Sequence, residues 1–214
     1  MHYKSIFNTA VAVTAAAFFC VGCSEKPDNE GGNVTPDGIV YGTPVTYGGE
    51  TYQTVVIGTQ TWFARNLNVA AENSACYNNR ADMCAKYGRL YDWPTALTVC
   101  PSGWHLPSKA EWSTLWDFVD GWSTSGTKLK SKTGWYQDED ENDNGTDDYG
   151  FSALPGGIGY RSSGGSIGFD CSDCGFWWSA TESGDTGAWS FSTSRESVSG
   201  GEKTDMYSVR CVQD

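Results

Sequence analysis

Residues 138–148, DEDENDNGTDD, form a run of oxygen donors. Within it Asp140, Asn142, Asn144 and Gly145 fit the pattern D-x-[DN]-x-[DN]-G. That pattern sets hard oxygen ligands at alternate positions and a glycine at the sharp turn, which is calcium chemistry. The twelfth position is Phe151, where a helix–loop–helix calcium loop needs a bidentate Glu, and no flanking helices are evident. The expectation is therefore a looser calcium site built from Asp140, Asn142, Asn144, Asp147 and Asp148. The competing reading is a solvated acidic loop held extended by repulsion.

Other groups capable of chemistry are few. Cys171-Ser172-Asp173-Cys174 can be a redox pair, half a zinc site or a local disulfide. His105 sits between Trp104 and Leu106 with no Ser/His/Asp pattern around it, and reads as a packed structural residue. Paired carboxylates are plentiful, but none is singled out at glycosidase spacing. Aromatics offer a binding chemistry instead. Tyr160, Trp177, Trp178 and Trp189 lie near Arg161, Glu182 and Arg195 in sequence. Aromatic faces flanked by planar polar groups are what a sugar site requires. Adjacent Trp177 and Trp178 on a strand point to opposite faces, so one can be core and the other displayed. The expected ligand-binding set is Tyr160, Arg161, Trp177, Trp178 and Glu182.

The balance of 14 Lys and Arg against 26 Asp and Glu gives a net charge of −12. Phosphate binding runs on Lys and Arg, so nucleic acid is excluded as the natural partner. Docking on anionic lipid by charge is disfavoured for the same reason. Divalent cations and neutral glycans remain compatible. Heavy use of Trp and Gly, with few long helical patterns, reads as a loop-rich α+β domain with an aromatic core.

The N-terminus predicts export. Lys4 gives a positive start, and Ile6 to Val21 is almost free of charge, too short for a comfortable bilayer span. Cys20-Val21-Gly22-Cys23 resembles a bacterial lipobox, whose last Cys is lipidated after cleavage. Residues 1–22 are then a lipoprotein signal peptide, with Cys23 the lipidated N-terminus. No Asp follows Cys23, which favours the outer membrane or cell surface. Residues 23–43 read as a flexible tether, rich in Pro, Gly, Asn and acids, and residues 44–214 as the folded domain.

Six cysteines remain after export, an even number that reads as disulfides in an oxidising compartment. Proximity pairs Cys76 with Cys84 and Cys171 with Cys174, leaving Cys100 with Cys211. Thr51 to Gly58 is β-rich, with a hairpin turn at Gly58-Thr59-Gln60 leading into Thr61-Trp62-Phe63. Ser108-Lys109-Ala110-Glu111 is a capping box ahead of Trp112, Leu115, Trp116 and Val119 at helical spacing, and Gly121 ends that helix. A shorter helix is expected over Pro94 to Thr98. Later strands are expected at Phe151 to Leu154, Gly175 to Ala180, Ala188 to Thr193 and Met206 to Val212.

Several motifs together resemble one family. They are Gly58-Thr59-Gln60-Thr61-Trp62, Asn66-Leu67-Asn68, Tyr87-Gly88-Arg89-Leu90-Tyr91-Asp92-Trp93, and Cys100-Pro101-Ser102-Gly103-Trp104-His105-Leu106-Pro107. Further on come Tyr149-Gly150-Phe151-Ser152-Ala153-Leu154-Pro155, Trp177-Trp178-Ser179-Ala180-Thr181 and Ser208-Val209-Arg210-Cys211-Val212. Over roughly residues 46–214 the chain is similar to the Fibrobacter succinogenes major paralogous domain, found in surface lipoproteins. The resemblance implies a C-type-lectin-like α+β fold with two helices, a small mixed or antiparallel sheet, long loops and disulfide staples. It also implies a bond from a cysteine near the early helices to one on the last strand, in line with Cys100–Cys211. The related formylglycine-generating enzymes use copper-binding cysteines in a late motif, and Trp177 to Glu182 holds none. The expected function is a non-enzymatic, lipid-anchored surface module that binds glycan or another surface partner through its loops. The alternatives are a copper- or thiol-dependent enzyme and a purely structural coat protein.

Overall fold

The computed structural model describes residues 33–162, 164–193 and 197–214. The expected signal peptide and the expected lipidation site Cys23 lie outside the described residues, as does Arg195.

The domain is mostly β. Four helices occur among the described residues: α1 (Ala81–Tyr87), α2 (Trp93–Ala96), α3 (Lys109–Phe118) and α4 (Trp122–Leu129). This corrects the expectation of a two-helix, C-type-lectin-like α+β fold. The reason is where the core comes from. Short strands supply Val55, Ile57, Trp62, Phe63, Trp177, Trp178 and Phe191, all buried, whereas the helices are short and contribute one stripe of note.

One sheet is antiparallel with six strands, in the order Asn33–Val34, Val40–Tyr41, Thr54–Ile57, Gln60–Phe63, Val212–Gln213, Trp104–His105. Residues 33–41, assigned to the tether by composition, thus pair into this sheet, and Ile39 packs into the core. The second sheet runs Ile167–Asp170, Ile158–Arg161, Met206–Ser208, Phe176–Glu182, Gly187–Ser192, Ser197–Glu202. Ser74–Ala75 and Leu90–Asp92 branch from its middle. A separate hairpin joins Val45–Tyr47 to Glu50–Tyr52.

The expected hairpin around Gly58 forms, with Ile57 opposite Gln60. The capping box forms too: Ser108 Oγ accepts from Glu111 N, and Glu111 Oε2 accepts from Ser108 N. Asp92 caps α2 through Thr95 N. Gly121, with φ of 85°, follows α3 and opens α4 rather than a loop. Phe151 to Leu154 is not a strand but a buried segment with one bridge from Ala153 to Lys130.

The strand Phe176–Glu182 lies between two apolar clusters. Trp177 packs with Trp112, Trp116, Phe151 and Phe191 on one side, and Trp178 packs with Tyr91, Trp93 and Tyr207 on the other. Alternation sends the two indoles to opposite faces, and both faces are covered. Each indole N–H finds an acceptor: Trp177 Nε1 donates to Asn66 Oδ1 at 2.7 Å and Trp178 Nε1 to the Tyr91 carbonyl at 2.8 Å. Satisfying that group is what lets so large a polar-tipped ring be buried.

Candidate functional site

Of the expected ligand-binding residues, the structure displays Tyr160 and Arg161 and buries Trp177 and Trp178 completely. The two tryptophans are core residues. Glu182 is exposed, but it is engaged by Lys203 Nζ at 2.8 Å. Tyr160 and Arg161 end a strand whose partner is Ile167–Asp170, with Tyr160 opposite Gly168. A Cβ on Gly168 would stand 2.3 Å from the Tyr160 ring, so the ring lies flat across that glycine. It remains 46% exposed. Arg161, on the opposite face of the strand, donates from Nη2 to Asn73 Oδ1 at 2.9 Å. Asn73 was not legible as a site residue, because nothing in Ala71-Glu72-Asn73-Ser74 distinguishes it from an ordinary loop amide. Phe169, half-buried, packs edge-on against Tyr77 under the same hairpin. The result is an exposed aromatic ring on one face of the hairpin and the Arg161–Asn73 pair on the other.

Trp189 is half-buried. Lys109 Nζ stands 3.6 Å from its ring centre. The groove between them, Trp112 and Phe191 is too narrow to admit a water molecule. It is a packed seam, not a ligand site.

The acidic loop folds on itself. Asp138 Oδ1 accepts from the backbone N–H groups of Asp140 and Glu141. Asn142 Oδ1 accepts from Asn144 N, and Asn144 Oδ1 from Trp135 N at 3.0 Å. Asp147 turns both oxygens to Ser152, one to its N–H at 2.7 Å and one to its hydroxyl at 2.6 Å. The side-chain oxygens of Asn142, Asn144 and Asp147 are therefore spent on backbone and hydroxyl donors. Asp140 and Asp148 point from exposed positions. Among the described residues, no cluster of three acidic, Cys or His donors forms here. The motif glycine has a packing reason: a Cβ on Gly145 would lie 2.3 Å from the Lys130 carbonyl. The match to a calcium pattern comes from turn chemistry, in which Asn and Asp cap nearby N–H groups.

All six cysteines of the domain are paired. The bonds are Cys76–Cys84, Cys100–Cys211 and Cys171–Cys174, with Cα separations of 4.9, 5.9 and 5.3 Å. Cys171, Asp173 and Cys174 bring three donor atoms within 4.8 Å, but the two sulfurs are bonded to each other. The free thiolate that the enzyme alternative needs is not presented.

His105 sits in a carboxylate clamp that spacing alone did not reveal. Its Nδ1 meets Asp214 and its Nε2 meets Glu111, each at 2.7 Å. Partial burial by itself would lower its pKa. The hydrogen bonds to Asp214 and Glu111 override that and hold it above the ordinary imidazole value. With both nitrogens engaged, the ring has no lone pair turned to a substrate. The clamp ties the capping box of α3 to the C-terminal residue.

The buried polar centre of the domain is Arg210. Its guanidinium reaches the carbonyls of Phe63 and Phe151 and the side chain of Asn66. Asn66 Nδ2 in turn donates to the Tyr87 carbonyl at 2.9 Å. The motifs around Asn66, Gly88, Phe151, Trp177 and Arg210 thus meet in one place, and what they build is a core. The model of the Fibrobacter succinogenes major domain matches residues 55–213. The chain belongs to this family. No curated protein and no solved structure matches it. Within this Fibrobacter succinogenes major domain, the motifs around Asn66, Trp177 and Arg210 are scaffold, and the exposed Tyr160 lies outside them.

Proposed function

We propose that this protein is a non-enzymatic surface module, anchored through a lipid on Cys23 at the outer membrane or cell surface, that binds glycan through the hairpin carrying Tyr160. The observation that carries this reading is the Tyr160 ring held flat over Gly168 and nearly half exposed. A sugar presents an apolar C–H face, and an exposed aromatic plane complements it. Packing the ring against Gly168 beforehand reduces the ordering cost of binding. Anchoring rests on the N-terminal pattern and on cysteines that are all oxidised in the folded domain, in keeping with an exported protein.

A glycan array probed with the full chain and with Tyr160→Ala tests the binding. Hits that the variant loses support the reading, and an array without hits at high protein concentration defeats it. Loss of radiolabelled fatty acid in Cys23→Ser tests the anchor.

A further inference from the structure

A groove opens between the hairpin turn at Gly58 and the last turns of α3. It is lined by Ile57, Gly58, Thr59, Thr114, Asp117 and Phe118 and holds about 410 Å³, within the roughly 300–1,000 Å³ of ligand-sized clefts. Thr114, Asp117 and Phe118 stand three and four positions apart, so they share one face of the helix. Gln60 Nε2 donates to the Glu111 carbonyl at 3.1 Å, and Trp62 packs on Trp112, so the two walls are fixed to each other. The Phe118 ring rests against the turn: a Cβ on Gly58 would lie 2.8 Å from it. Tyr149 meets the ring edge-on, yet Phe118 remains 50% exposed. Beside it stands a carboxylate without a counter-ion. Asp117 is exposed, and among the described residues no cation lies within ion-pair distance of it. Asp120, three positions on, is already paired with Lys128. Thr114 spends its hydroxyl proton on the Ala110 carbonyl at 3.0 Å, so toward the groove it can only accept.

We infer that this groove docks an arginine side chain of a basic protein partner, with its guanidinium on the Phe118 ring and forked to Asp117, and its aliphatic stem against the apolar wall at Ile57 and Gly58. The groove offers an aromatic face, a free carboxylate and a hydroxyl acceptor, and none of its lining residues is a cation. A guanidinium answers all three, because it is planar, always charged and rich in donors. A lysine ammonium pairs with the carboxylate but has no plane to lay on the ring. A neutral sugar leaves the charge unanswered, and an inorganic cation leaves the ring bare. The net charge of −12 also draws a basic segment toward this surface from a distance. Tyr160 does not line the groove, and docking here is independent of glycan binding there.

Titrating the full chain with the capped tripeptide acetyl-Gly-Arg-Gly-amide at low ionic strength, followed by amide NMR, tests this docking. The expected result is a saturable perturbation of Gly58, Thr59 and residues 114–118. The same peptide with citrulline, which keeps the shape and loses the charge, should bind at least about fivefold more weakly. The lysine peptide should fall between the two. Asp117→Asn should weaken the arginine peptide about fivefold, and Phe118→Leu, which keeps an apolar side chain against Gly58 but removes the ring, about threefold. An unchanged melting temperature shows that both variants fold. Tyr160→Ala should leave the titration as it was. Arginine docking is overturned if the groove amides do not move, if citrulline or lysine binds as tightly, or if either groove variant binds like the parent. Equal shifts in residues 138–148 would overturn it in favour of diffuse attraction to acidic surface. Equal shifts of the groove amides by methyl glucoside would overturn it in favour of a sugar subsite.

Discussion

Arg210 Nη2 donates to Asn66 Oδ1 at 2.7 Å, across 144 positions of sequence and with both side chains buried. The same oxygen accepts from Trp177 Nε1. The guanidinium is compensated by oxygens of amides rather than by a carboxylate, since among the described residues none stands within ion-pair distance of it. Burial pushes its pKa down to about 9, with nearby Asp147 opposing and Arg65 adding to the fall. It therefore stays charged at neutral pH and serves to close the backbone acceptors of Phe63 and Phe151. Replacing Arg210 by Met keeps most of the volume but strands those acceptors. The expected loss is at least about 3 kcal/mol in denaturant unfolding. A loss under about 1 kcal/mol would refute the keystone role.

The His105 clamp makes stability depend on pH. The folded pKa of His105 is raised, so its contribution is complete below the unfolded value of about 6.5 and is lost as pH rises through the folded value. Glu111 moves the other way. Burial pushes it up, but hydrogen bonds from Ser108 and His105 win and lower it, so its contribution is lost as pH falls through that lowered value. The melting temperature should therefore decline as pH rises above about 6.5, and His105→Gln should flatten that decline. Because the imidazole is 40% exposed, the effect is screened and should shrink in high salt.

The three disulfides should differ in weight. Cys100–Cys211 spans 111 positions and Cys171–Cys174 spans 3. Loop closure in the unfolded chain then stabilises by roughly 5 kcal/mol for the first and roughly 2 kcal/mol for the second. Alanine pairs at each position, compared by urea midpoints, should show the long bridge dominating. Equal losses would contradict the loop-length account.

Calcium should leave the protein unmoved. A melt with millimolar calcium against one with chelator should shift by less than about 2 °C, because a ligand stabilises only in proportion to its occupancy of the folded state. Asn142, Asn144 and Asp147 already have their side-chain oxygens committed to donors. A large upward shift would mean the loop reorganises around the ion.

Local chemistry is what the sequence determined by itself. The capping box at Ser108 and Glu111, the hairpin at Gly58 and the pairing of near cysteines each depend on residues a few positions apart, where spacing dictates geometry. The family was legible too, because its motifs are ordered words. What those words do was decided by tertiary structure. Trp177 read as a candidate ligand contact, and Asn66 and Arg210 only as members of motifs, until folding brought them together in the core, where desolvation made them each other's partners. Trp177 and Trp178 could be seen to face opposite ways, but only the second layer of packing showed that both faces are covered. The Asp/Asn pattern of residues 140–145 fits calcium and turn capping equally well in one dimension, and the direction of each oxygen separates them. Asn73 carries no signature in sequence, and Tyr160 could be named there as a candidate but not told apart from the buried Trp177 and Trp178. Exposure, and a missing partner, are properties of the folded surface, which forms only when distant strands close around it.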